Sequence, residues 1–165
     1  MNRTILVPID YSDVTDTLLE EACQLAGALD ATLHLVHAAT IGPVVYSAYQ
    51  AGMGTAYPRK TKIEMLEEAA EHLGRVAETC RPNVQTVTTS LLEGNAGPAI
   101  MEEARRVSPM MIVLGSHGHG ALHHLLAGSV CEHVMKHAVC PITVVPSRIG
   151  TYKTDIEATP AARTL

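Results

Sequence analysis

Apolar residues fall along the chain in two alternating rhythms. Thr4 to Ile9 is a compact β-rich run with Asp10 at its end. Leu18, Ala22, Leu25 and Leu29 then recur at steps of four, three and four. That is the spacing of one helix face, with Ser12 or Asp13 placed to cap it and Gly27 expected to fray its end. Thr32 to Ala38 returns to strand character, and its continuity suits a strand covered on both faces. Ile41 to Lys60 breaks the rhythm with three glycines, two prolines and three tyrosines. A connection of that length inside a compact domain is unusual enough to be functional or mobile.

From Thr61 the clearest helical pattern places Ile63, Leu66, Ala70, Leu73, Ala77 and Cys80 on one face, with Glu64, Glu67, Glu68, Glu71 and Arg75 outside. Pro82 stops it. Val84 to Leu92 reads as a strand, and Ala96, Ile100, Ala104 and Val107 as the apolar face of another helix. Met110 to Leu114 is a fourth strand, Val130 to His137 a helix, and Pro141 to Val145 a fifth strand. The polar tail after Pro146 has no periodicity. Strict alternation of strands and helices predicts an α/β fold, a single doubly wound parallel sheet with helices on both faces. Asp10 and Gly115 then follow strand ends on one rim, where such sheets bind ligands.

Composition narrows the partners. The 165 residues suffice for one domain with a core and too few for two. Lys and Arg number 12 against 17 acids, for a net charge of −5, which argues against nucleic acid. No apolar run approaches the ~20 residues that span a bilayer, and no signal peptide is legible, so no membrane is expected and the cytoplasm is. Cys23, Cys80, Cys131 and Cys140 are scattered without a C-x-x-C pair, and read as small apolar side chains in a reducing compartment.

The candidate chemistry lies in Gly115 to Val130, a glycine-rich turn between a buried strand and a helix, where backbone amides converge on an anion. A P-loop is excluded because Ala121 stands where its lysine belongs, and a dinucleotide fingerprint because His123 stands where its third glycine belongs. No G-x-S-x-G elbow is present. What remains is Gly115-x2-Gly118-x9-Gly128-Ser129, with Ser129 as N-cap of the last helix. No Lys or Arg lies between Arg106 and Lys136, so a phosphate there is met by amides, hydroxyls, histidines or a divalent ion.

That spacing, the following Val130, the closing Pro-Ile-Thr-Val-Val and the opening Ile-Leu-Val-Pro-Ile-Asp together resemble the universal stress protein family, from about Thr4 to Val145. The resemblance implies the adenine nucleotide α-hydrolase-like sheet of order 3-2-1-4-5, with a domain over residues 1–146 and a C-terminal extension over 147–165. It places the chain in the ATP-binding branch, taking ATP, ADP or AMP together with Mg2+. Pro8, Ile9 and Asp10 would line adenine and ribose, with Asp10 accepting from the ribose hydroxyls, and Ala38 would pack on the adenine. Leu114, Gly115 and Gly118 would cradle ribose and α-phosphate, and Gly128, Ser129 and Val130 the outer phosphates. It also implies a homodimer through strand Pro141–Val145, an apolar edge that is otherwise open to pairing. The implied role is a regulatory or stress-response binding module; a slow ATPase and a structural homodimer without nucleotide are the alternatives.

His119, His123 and His124 occupy the spacer where relatives often carry Arg or Lys, so phosphate affinity is expected to rise as pH falls through the imidazole range. With His117 they make a poor set for tetrahedral zinc. His34 and His37 read as strand-face residues with satisfied hydrogen bonds. Adenylation is not expected, since Asp10-Tyr11-Ser12-Asp13-Val14-Thr15 replaces the serine- and glycine-rich loop it needs after the first strand.

Overall fold

The computed structural model describes residues 3–39, 61–116 and 130–146. Its elements run β1 (Thr4–Pro8), α1 (Thr15–Leu29), β2 (Thr32–Ala39), α2 (Lys62–Cys80), β3 (Val87–Glu93), α3 (Ala96–Val107), β4 (Met111–Ser116), α4 (Val130–His137) and β5 (Ile142–Pro146). The five strands form one sheet in the order β3-β2-β1-β4-β5, with every neighbouring pair parallel. This is the expected architecture.

Strand alternation divides the core into two layers. Ile5, Val7, Leu33, Leu35 and Val113 face α1 and α2, meeting Leu18, Ala22, Ala26, Leu73 and Ala77. Leu6, Val36, Ile112 and Leu114 face the other way, onto Ile100, Met101 and Ala104 of α3 and Val134 of α4. Each fully buried Leu or Ile contributes on the order of 2 kcal/mol of transfer free energy. None of the helices among the described residues is long and apolar enough to cross a membrane.

Several local expectations are corrected. Neither Ser12 nor Asp13 caps α1: the N-cap is Val14, with no side-chain cap bond. The Ser12 carbonyl accepts the Thr15 N–H at 3.0 Å instead, while the Ser12 N–H donates to Asp10 Oδ1 at 3.0 Å. Gly27 does not fray the helix, which runs to Leu29 and ends on Asp30 in the left-handed region. Its glycine serves close packing, since a Cβ there would stand 3.3 Å from the Asn83 carbonyl oxygen.

α2 begins with a full capping box, Thr61 and Glu64 each bonding the other's backbone N–H. Only Leu73, Ala77 and Cys80 of its predicted face are buried; Leu66 is half-buried and Ala70 exposed. Ile63 is 67% exposed, because the described residues bring no layer against the helix's first turns. Val84 is buried in the turn before β3 rather than paired in it, as the ladder starts at Val87.

Candidate functional site

β1 and β4 lie side by side where the chain reverses its direction of travel across the sheet, with Ile5 level with Met111 and Leu6 with Ile112. Pro8 pairs with Val36, and the Ile9 N–H extends the ladder to the Val36 carbonyl at 2.8 Å. Ile9 is buried and Asp10, the next residue, is exposed at the rim. Ala38, half-buried near the end of β2, stands beside Leu92 of β3. On β4, Leu114 is buried and Gly115 half-buried, paired with Val144 and Val145 of β5.

α4 closes this crevice. Val130, its first residue, is exposed, and the Cys131 thiol donates to the Gly115 carbonyl at 3.3 Å. Burial raises the Cys131 thiol above its ordinary range, and the negative charge of Asp10 raises it further. That coupling places Asp10, Gly115 and Cys131 in one electrostatic neighbourhood, although they come from β1, β4 and α4. The structure therefore brings together Pro8, Ile9, Asp10, Leu114, Gly115 and Val130 around the β1–β4 switch point, with Ala38 one strand away. Gly118, Gly128 and Ser129, and the spacer histidines, lie outside the described residues.

Gly115 has a packing reason of its own. A Cβ there would stand 2.6 Å from Val14 Cγ1, closer than carbon atoms approach. The start of α1 therefore rests directly on the β4 backbone, and glycine at this position is what lets the helix approach so closely.

Beside Asp10 the chain makes a turn that sequence reasoning passed over. Tyr11 takes φ 60°, unusual for a residue with a side chain. Its ring stacks on His72 of α2, with centroids 4.2 Å apart, and tilts against His37 of β2 at 4.5 Å. A His37 ring nitrogen donates to the Ile9 carbonyl at 2.8 Å, tying β2 to the same turn. Burial raises the Tyr11 hydroxyl, opposed by the nearby Arg75 charge, and among the described residues that hydroxyl has no hydrogen-bond partner. The Ser12 and Thr15 hydroxyls are likewise buried, with no partner among the described residues. The only signal for this arrangement in sequence was the polar run directly after a buried strand. Cys131 was legible only as the residue after Val130.

Chemically, the rim offers a carboxylate that accepts hydrogen bonds, a close-packed backbone at Gly115, and the amino end of α4 with its partial positive charge. Among the described residues no three His, Cys, Asp or Glu are grouped as metal ligands.

Comparison with known proteins agrees with this frame. The sequence model of the universal stress protein family matches residues 1–146. A universal stress protein of Methanocaldococcus jannaschii is 31% identical over 144 residues, which cover 87% of this chain and 81% of that protein. A universal stress protein of Archaeoglobus fulgidus, solved in complex with dAMP, superimposes with a TM-score of 0.60 at 21% identity, covering 86% of this chain and 96% of the other. A universal stress protein solved in complex with cAMP superimposes with a TM-score of 0.58 at 20% identity, covering 89% and 98%. At those identities the structural likeness speaks to the fold alone. The family match from residue 1 to the end of β5, with the strand order it accompanies, means that this chain belongs to the universal stress protein family.

Proposed function

We propose that this protein is an ATP-binding module of the stress response, acting in the cytoplasm through occupancy of its site rather than turnover. The observation that carries the reading is the convergence of Asp10, Gly115 and Cys131 at the β1–β4 switch point. The family relatives solved with dAMP and cAMP support an adenine nucleotide as the ligand. In this reading Asp10 accepts hydrogen bonds from ribose hydroxyls, Pro8, Ile9 and Ala38 line the base, and Leu114 and Gly115 flank the sugar. Gly118, Gly128, Ser129 and Val130 supply amides and a hydroxyl to the phosphates. Mg2+ would enter with the nucleotide, held chiefly by the phosphate oxygens, as this hard cation usually is.

Calorimetric titration with ATP, ADP, AMP and cAMP in the presence of Mg2+ tests this. ATP is expected to bind, and Asp10→Ala to weaken it about 10-fold or more, as loss of a charge-assisted hydrogen bond does. Absence of binding at millimolar ATP, or unchanged affinity in Asp10→Ala, overturns the assignment. Phosphate release at stoichiometric protein separates occupancy from slow hydrolysis.

The domain of this reading spans residues 1–146, with 147–165 as an extension, and it pairs with a second copy through β5. Val144, on that edge strand, is 46% exposed, and Val139 just before it is 93% exposed. An isologous pairing of β5 with its copy would cover both the open edge and the apolar side chains. Val144→Lys is expected to give a monomer by light scattering at micromolar concentration; a persisting dimer removes β5 as the interface.

A further inference from the structure

The α3 side of the sheet contains a polar chain that the nucleotide site does not use. His34 of β2 is 4% exposed, and its two ring nitrogens lie 2.7 Å from Thr88 Oγ1 and 2.8 Å from Glu103 Oε1. Arg106 grips the same carboxylate with two bonds, Nε to Oε2 at 2.7 Å and Nη2 to Oε1 at 2.6 Å. Those bonds, joined by one from Ser90, keep Glu103 ionised, and its carboxyl falls to about 2 although burial works the other way. A carboxylate accepts and cannot donate, so the neutral imidazole carries its proton on Nε2 and donates it to Glu103. Nδ1 is then an acceptor, and Thr88 donates its hydroxyl proton to it. The hydroxyl is thus bonded to a base, and that base is oriented by a fixed carboxylate. This is the relation that turns an alcohol into a nucleophile.

The surroundings of Thr88 suit that role. Thr88 itself is exposed, whereas His34 and Glu103 are buried behind it. β3 ends the sheet on this side. Leu33 is level with Val87, and its N–H donates to the Thr86 carbonyl at 2.9 Å. In a parallel ladder alternate residues bond to the same neighbour, so Thr86, Thr88 and Ser90 direct their main-chain groups toward β2. The Thr89 N–H therefore points off the free edge. An amide directly after the nucleophile is a usual donor to the oxyanion of an acyl transfer. A histidine serving only as a structural staple needs neither an exposed hydroxyl partner nor an outward-facing amide beside it.

We propose that Thr88 is an acyl acceptor, activated by His34 and Glu103, toward small activated carboxylic esters or thioesters. In the step, Thr88 Oγ1 bonds to the acyl carbon and its proton passes to His34 Nδ1. The bond from that carbon to the leaving alcohol or thiol breaks, and the leaving group takes the proton from His34. The product is O-acyl-Thr88 and the free alcohol or thiol, with no external oxidant or reductant. Glu103 and Arg106 act through His34, as positioning residues. Thr88 lies near the amino end of β3, away from the rim of Asp10 and Gly115, so this reading and nucleotide binding stand or fall separately.

The full chain is incubated with p-nitrophenyl acetate, nitrophenolate release is followed, and the acetylated residue is mapped by peptide mass spectrometry. The expected result is an acetyl group on Thr88, absent in Thr88→Val and retained in Thr88→Ser. His34→Gln is expected to slow Thr88 acetylation by about 100-fold or more, the usual contribution of a general base. Acetylation confined to lysines or cysteines overturns the proposal, as does nitrophenolate release unchanged in Thr88→Val. Equal Thr88 acetylation in a folded His34→Gln does the same. If that variant does not fold, the Val and Ser variants at position 88 decide the matter alone.

Discussion

The two faces of the sheet are built from the same five strands and solve burial differently. Toward α1 and α2, β2 presents Leu33 and Leu35, and the layer is closed by leucine, alanine and cysteine. Toward α3 and α4, the intervening position is His34, buried with its two ring nitrogens bonded to Glu103 of α3 and Thr88 of β3. An apolar layer tolerates approximate fit, since dispersion and transfer free energy are non-directional. A polar group in the other layer is costly unless each donor and acceptor has a partner. One face therefore contributes mainly bulk stability, and the other also sets how α3 lies on the sheet.

That contrast is tested most strongly at Glu103. Its carboxyl is held at about 2, chiefly by its bonds from Arg106, with His34 and Ser90 adding to the effect and burial opposing it. An unfolded glutamate titrates near 4.3. The folded state thus holds its carboxylate more firmly ionised, and the stabilisation is complete above about pH 4.3 and lost as pH falls toward about 2. Across that window the natural protein is expected to lose on the order of 2 kcal/mol more than Glu103→Gln does. Urea unfolding at a series of acid pH values provides the measurement. Parallel curves for the two proteins would mean that the α3 face is held by apolar contact alone.

The same contrast explains what could be read in advance. Apolar faces announce themselves by periodicity: Leu18 and Ala22 of α1 and Ile100 and Ala104 of α3 stand where their spacing places them. The strand order followed from the resemblance, and the meeting of Asp10 with Gly115 from the rule that strand ends share a rim. His34 read correctly as a satisfied strand-face residue, yet its partner was hidden. Glu103 looks like any carboxylate on a helix, and Thr88 lies 54 residues from the histidine it bonds. Pairing of that kind depends on tertiary register, which a period of two or 3.6 does not encode. Ile63 failed for the opposite reason, because periodicity names a face and does not say how far along a helix its cover extends. Tyr11 and Cys131 were missed because the contacts that give them interest come from three other elements.

The apolar face offers a smaller and sharper test, since its two glycines in question differ in what surrounds them. Gly115 lies under the start of α1, where an added methyl would meet Val14 Cγ1 at 2.6 Å. Val14 is 3% exposed and branched at Cβ, so it has neither space nor a second comfortable rotamer to move into. Gly115→Ala is expected to cost about 1–3 kcal/mol, the usual penalty of overpacking. Gly74, within α2, has nothing within 4 Å of the same added atom. There the substitution only restricts the unfolded chain and favours the helix, so Gly74→Ala is expected to gain about 0.5–1 kcal/mol. Opposite shifts in urea midpoint, at unchanged slope, assign the Gly115 effect to the contact with Val14. Shifts of one sign at both positions would instead mean that backbone freedom, not the close seat of α1 on β4, is why glycine stands at the rim.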